Sequence, residues 1–192
     1  MTIQTWNTVL REQIDWHWNN HVRPRLAGLT DDEYFWEPAP DCWNVRDRGT
    51  GTAPIQGGSG AMTIDFAWPE PDPAPVTTIA WRLGHVIVGV LAMRNVSHFG
   101  RPETDYYSFE YAETAAAALT QLDNEYAVWN DGVAALGEEG LLRPSGPTEG
   151  QYADYPIATL ILHVNRELIH HLSEISLLRD LYAHTRAQKA TR

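Results

Sequence analysis

Pro156-Ile-Ala-Thr-Leu-Ile-Leu-His163-Val-Asn-Arg-Glu167-Leu-Ile-His170-His171-Leu-Ser-Glu174-Ile-Ser-Leu-Leu-Arg-Asp-Leu-Tyr182 reads as one long helix. Pro156 suits the first helical position, where a missing N–H costs nothing. No Gly or Pro follows it. Apolar Ile157, Leu160, Ile161, Val164, Leu168, Leu172, Ile175 and Leu178 recur mostly at three- and four-residue steps, and Tyr182 extends the stripe. At roughly 100° per residue, Glu167 and His171 fall on the edge of that stripe, near the meridian of Leu160 and Leu178. Buried charge is costly unless it is paired or bound to a metal. A carboxylate and an imidazole one turn apart on a core-facing edge therefore point to a metal.

Composition narrows the rest. The chain has 192 residues, enough for one domain with a sizeable core, taken as residues 1–192. Net charge is −11, which argues against nucleic-acid or anionic-membrane partners, since phosphate binding needs clustered Lys and Arg. No apolar run approaches the length of a membrane span. The start, Met1-Thr-Ile-Gln-Thr-Trp-Asn7, lacks the basic and apolar regions of a leader. Cys42 is the only cysteine, so no internal disulfide is expected. Together these predict a soluble cytoplasmic protein.

Working outward, three more long helices are expected. The first spans about Thr5 to Ala27, with Pro24 bending its last turn and Gly28 closing it. It carries His17 and His21 at metal-ligand spacing, but no third ligand is marked nearby, so a pair of partly exposed histidines is the simpler reading. Thr30 to Glu33 spells a capping box before a short helix through Trp36. The second long helix opens after the Thr77-Thr78 cap and stops at Gly100. Its stripe of Trp81, His85, Val88, Ala92, Val96 and Phe99 contains one polar intruder, His85; a lone His on such a face is ordinarily a hydrogen-bonded core residue. The third helix, about Glu113 to Gly137, shows only core positions.

Residues 37–75 are rich in Pro and Gly and read as a long loop. Two β-like pieces within it, Cys42 to Arg46 and Met62 to Trp68, can pair as a hairpin. Its glycines match no phosphate-binding fingerprint. The fold class is therefore all-α: a four-helix bundle with a long crossover connection between helices 1 and 2 that has room for a short β-hairpin. The basic tail after Tyr182 is expected to fray.

If the second and fourth long helices face one another, His85, Glu167 and His171 converge. Two nitrogens and a carboxylate oxygen suit Zn²⁺, and also Ni²⁺, Fe²⁺ or Mn²⁺. Three protein ligands leave an open position, the mark of a catalytic site. The pairs His163 with Glu167 and His170 with Glu174 have the same spacing, but both histidines lie further round and read as outer or surface groups. Alternatively, Glu167 is a salt-bridge partner of Arg82 or Arg166, and His171 a hydrogen-bonded core histidine.

His85, together with His163-Val-Asn-Arg-Glu167-Leu-Ile-His170-His171-Leu-Ser-Glu174 and Leu177 to Tyr182, resembles the DinB-like superfamily of metal-binding four-helix bundles. Many members use three histidines, and Glu167 stands where one of those would be. The His/Glu/His set is similar to that of the metal-binding domain of mycothiol-dependent maleylpyruvate isomerases. That resemblance implies His85, Glu167 and His171 as metal ligands, a low-molecular-weight thiol cofactor such as mycothiol or bacillithiol, a small electrophilic substrate and a homodimer. The isomerases carry a further C-terminal domain not found here, which favours an S-transferase. Gln13, His17, Trp43 and Trp81 are candidate pocket neighbours. A hydrolase using metal-activated water is the alternative enzyme, and a non-catalytic dimeric metal- or small-molecule-binding protein is the alternative without chemistry.

Overall fold

Three of the four long helical runs open on a threonine whose hydroxyl accepts an N–H from the third helical residue: Thr5 from Thr8, Thr78 from Trp81 and Thr114 from Ala117. In this computed structural model, residues 4–190 are described, with side chains through residue 187. The leader reading and the end of the basic tail fall partly on residues 1–3 and 191–192, outside the described residues. The first run is α1 (Trp6–His17), a π-helical segment (Trp18–Val22) and α2 (Arg23–Leu26). A short α3 (Asp31–Tyr34) follows. The second run is α4 (Ile79–His85), a π-helical segment (Val86–Ala92) and α5 (Met93–Phe99), closed by left-handed Gly100. α6 spans Ala115–Leu141 and α7 spans Ile157–Ala190.

Side-chain bonds fix the directions. Asn7 donates to Val133 O at 2.7 Å, Arg11 to Asn130 at 3.0 Å and Tyr126 to Asp15 at 2.6 Å, so α1 and α6 are antiparallel. Asn165 donates to Leu10 O and Arg25 to Asp180, so α1 and α7 are parallel. Asn95 donates to Glu125 O, and Phe99 packs on Trp129, so α5 and α6 are parallel. Parallel neighbours cannot be joined by a short turn, so the connection 101–114 runs back along the bundle, carrying Tyr106 past α4. The core is continuous through all four runs. Leu168, Leu172 and Ile175 of the α7 stripe are buried, each contributing roughly 1.5–3 kcal/mol.

The long link between the first two runs lies over one end of the bundle. It holds a three-stranded antiparallel sheet rather than a hairpin, ordered β1-β3-β2: β1 (Val45–Asp47), β2 (Ile55–Gly57) and β3 (Met62–Phe66). The two strands expected from the sequence do pair, with Val45 opposite Ile64. Buried Asp65 ties the sheet together by accepting from Arg46, Gln56 and the Asn44 N–H. The Trp81 indole N–H donates to Asp65 O at 2.8 Å and pins the sheet to α4.

Four local expectations change. Glu33 does not reach back to close a capping box; its buried carboxylate takes a forked bond from Arg179 at 2.7 and 3.1 Å. Pro24 is accommodated by the preceding π segment, where the Arg23 N–H reaches back five residues to Trp18 O. A proline ring collides with the carbonyl four residues back, and a wider turn opens that space. The last helix continues beyond Tyr182 to Ala190. Gly137, read as the end of the third helix, instead breaks α6 with φ 61° and ψ −172° before the helix resumes. Among the described residues no helix is long and apolar enough to cross a membrane.

Candidate metal centre

α4 and α7 meet at His85 and His171. Their ring centroids lie 4.7 Å apart and their planes are nearly perpendicular, at 88°. One turn back along α7, Glu167 Oε2 is 3.5 Å from His171 Nε2. The fold thus brings His85 and Glu167 to the same histidine.

Both rings are held from behind at the same nitrogen. His85 Nδ1 lies 2.8 Å from the Tyr106 hydroxyl. His171 Nδ1 lies 2.8 Å from Glu174 Oε2, and Arg82 Nη1 is 3.1 Å from that same oxygen. Metal-binding histidines characteristically give their second ring N–H to such a partner, which fixes ring orientation and tautomer. Here the partners sit at Nδ1, which leaves Nε2 on each ring as the nitrogen that could take a ligand. Trp81 stacks on His85 with planes 13° apart. Trp43 and Phe66 back Trp81 in turn.

The electrostatics suit ligation. Burial, aided by the nearby charges of His171 and Arg82, pushes His85 down to about 3. At neutral pH it is the uncharged imidazole a metal requires. Burial raises the Tyr106 phenol, so it stays protonated and can bond His85 in either direction. His85, Glu167 and His171 offer two imidazole nitrogens and a carboxylate oxygen, donor types that suit Zn²⁺ or a neighbouring divalent ion, with His171 the member that the other two approach.

Tyr106 reaches His85 through a gap. A Cβ on Gly89 would fall on the Tyr106 hydroxyl. Gly89 lies in the π segment that begins directly after His85, where the Met93 N–H bonds Val88 O, five residues back. Such wide turns recur at functional sites.

Among the described residues, the three donors that come closest together are not the predicted triad but a set that shares only His171 with it. His170, His171 and Glu174 bring one donor atom each within 4.8 Å of one another and could hold a metal ion. His170 is mostly exposed, however, and Glu174 is shared with Arg82.

The other sequence candidates divide. Trp81 touches the cluster and Trp43 stands behind it. Gln13 is exposed on α1 beside Glu12 and Trp16. His17 faces a separate groove with His21, Leu172 and Ser173. Arg82 pairs with Glu174 rather than with Glu167, while Arg166 Nε lies 3.7 Å from Glu167 Oε1. His163 is half-exposed, as its position away from the stripe implies. Sequence reasoning missed Tyr106 and Gly89. The only signal was a glycine four residues after His85, and helix periodicity gives no reason to connect it with a distant tyrosine.

The sequence pattern of the DinB superfamily matches residues 13–175, a span that includes His85, Glu167 and His171. The chain belongs to the DinB superfamily. This is a metal-binding family, and its helical architecture is the one found here. Neither a curated protein nor a solved structure matches this DinB chain.

Proposed function

We propose that His85, Glu167 and His171 hold one divalent metal ion, most simply zinc, and that the protein is a thiol-dependent S-transferase acting on a small electrophile. The observation that carries the reading is the paired restraint at Nδ1. Tyr106 and Glu174 turn two imidazoles edge to face, with Glu167 beside His171 Nε2. A core histidine needs one such bond; two histidines restrained on the same side and facing each other support a shared ligand.

A metal in this set has an open position, where it would favour the thiolate of a small thiol, the nucleophilic form. The chain's own residues supply the rest. Trp81, Trp43 and Phe66 keep water from the His85 side. Arg82 pairs with the Glu174 oxygen that lies beside His171 Nδ1 and so keeps it aimed at that ring. Neither Tyr106 nor Glu174 is placed as an independent base: one is bonded to His85 and the other shared by His171 and Arg82. That weighs against the hydrolase reading, which needs a base with nothing else to do. The His/Glu/His set, similar to that of mycothiol-dependent isomerases, supports the choice of a mycothiol-like cofactor.

Two measurements test this. Purified protein should contain about one metal ion per chain, and folded His85→Ala and Glu167→Ala should contain none. Cobalt-substituted protein should gain a sulfur-to-metal charge-transfer band on adding mycothiol. Metal without that band would leave a metalloprotein but end the thiol reading; no metal after reconstitution would end both.

A further inference from the structure

Beside the cluster, on the Glu167 side, lies a pocket of about 600 Å³ walled by α5, α7 and the segment 145–155. This is the size range of sites for small organic molecules. Its charges run against those of the whole chain. The protein carries a net −11, yet the pocket is lined by two guanidiniums, Arg94 and Arg166, against the single carboxylate of Glu149. That carboxylate is already engaged. Glu149 Oε1 is 3.1 Å from His98 Nε2 and 3.5 Å from Arg94 Nε, and its side chain is buried.

Arg166 is differently placed. Its Nη2 donates to His163 Nδ1 at 2.8 Å, and its only ion pair among the described residues is the long 3.7 Å contact with Glu167 Oε1. His163 Nδ1 lies 3.5 Å from that same oxygen. When Glu167 turns its charge to a metal, Arg166 is left as a guanidinium at the pocket wall with no acid to neutralise it. In the same lining, Tyr152 and Tyr155 meet edge to face at 5.6 Å, presenting ring surface to a flat partner.

We infer that this pocket binds a small aromatic carboxylate, with the carboxylate on Arg166 and the ring against Tyr152 and Tyr155. A guanidinium matches a carboxylate in a planar, two-point contact. The local positive field selects that anion from among neutral analogues of the same shape. The inference deepens the reading above and rests on it for the release of Arg166 when Glu167 binds metal; Arg166 and His163 are the lining residues that touch Glu167, so the bound carboxylate lies toward the metal cluster.

The probe is 2-naphthoate, with 2-naphthamide as its neutral counterpart, titrated calorimetrically into full-length protein whose metal content is measured on the same samples. Naphthoate should bind at least about tenfold more tightly than naphthamide, and Arg166→Gln should weaken naphthoate about tenfold while leaving naphthamide unchanged. Arg166 is largely exposed, so this variant should fold. Glu167→Ala, which removes the proposed metal but keeps Arg166, should still bind naphthoate. Equal affinity for the two probes, or naphthoate binding indifferent to Arg166→Gln, would overturn the inference. Naphthoate binding with no metal in any sample would leave the pocket standing and fail the metal reading alone.

Discussion

Two pairs of candidate ligands sit one turn apart on parallel neighbouring helices, and the fold treats them differently. His17 and His21 have their rings 5.6 Å apart, tilted by 31°. His17 Nε2 is buried and makes no hydrogen bond among the described residues, and His21 is exposed. Burial, with His21 adding to it, lowers His17. Glu167 and His171 have the same spacing, but His171 is braced by Glu174, which Arg82 holds, and faced by His85. Spacing puts two donors on one side of a helix; it takes a second helix and an outer layer of partners to make a site of them. The contrast also shows why the first pair misleads a reader of sequence. Its helix changes to a π segment at Trp18, between the two histidines.

The difference can be broken by mutation, and the largest effect is expected from the ligands themselves. Glu167→Ala or His85→Ala should abolish stoichiometric metal, while His17→Ala and His21→Ala should leave it intact by elemental analysis. Metal removal should lower the thermal midpoint of the wild type and not that of Glu167→Ala, because only a bound ligand adds stability, about 2.7 kcal/mol at a hundred times its Kd. Loss of metal in His17→Ala would mean the two pairs are not as distinct as they look.

The outer partners come next. Gly89→Ala should displace Tyr106 from His85, and Tyr106→Phe and Glu174→Gln should each remove one brace. Loss of such partners typically costs about 10–100-fold in metal affinity, measurable by competition with a chelator. His170→Ala sharpens the choice between the overlapping donor sets. It should change affinity little if His85 and Glu167 are ligands, and abolish binding if His170, His171 and Glu174 are.

The smallest effect concerns the pocket wall. The hydrogen bond from His98, followed by the charges of Arg94, His98 and His163, holds the Glu149 carboxyl below its ordinary value of 4.5. A carboxyl depressed in the folded state stabilises the protein above its unfolded value and loses that contribution as pH falls through the folded one. Thermal midpoints should therefore drop on acidification below about pH 4.5. Glu149→Gln should be less stable near neutrality and show a shallower acid slope.

Much of the bundle was legible because its signals are local. Thr78 and Gly100 bracket the second run, Thr114 opens α6, and Pro156 precedes α7, each acting within one turn of itself. His85, Glu167 and His171 stood out as polar residues on or beside apolar stripes. What could not be read depends on distance along the chain. β2 lies at the edge of a sheet whose central strand, β3, comes after it in the chain, and its three residues carry no alternation of their own. Glu33 satisfies Arg179 rather than its own helix end. Tyr106 belongs to a connection without periodicity, and its partner lies 21 residues away on another element.

A helix that takes one wide turn behaves as though a residue had been inserted into it. In a regular helix Arg94 would sit roughly 180° round from His85. One inserted residue reduces that to about 80° by the same arithmetic. Deleting a single residue between Val86 and Ala92 would restore a regular hydrogen-bond ladder and leave Arg94 at that same angle, since eight regular steps also give about 80°. The extra residue therefore does not set the phase of the pocket; it supplies the widened turn in which Gly89 leaves room for the Tyr106 hydroxyl.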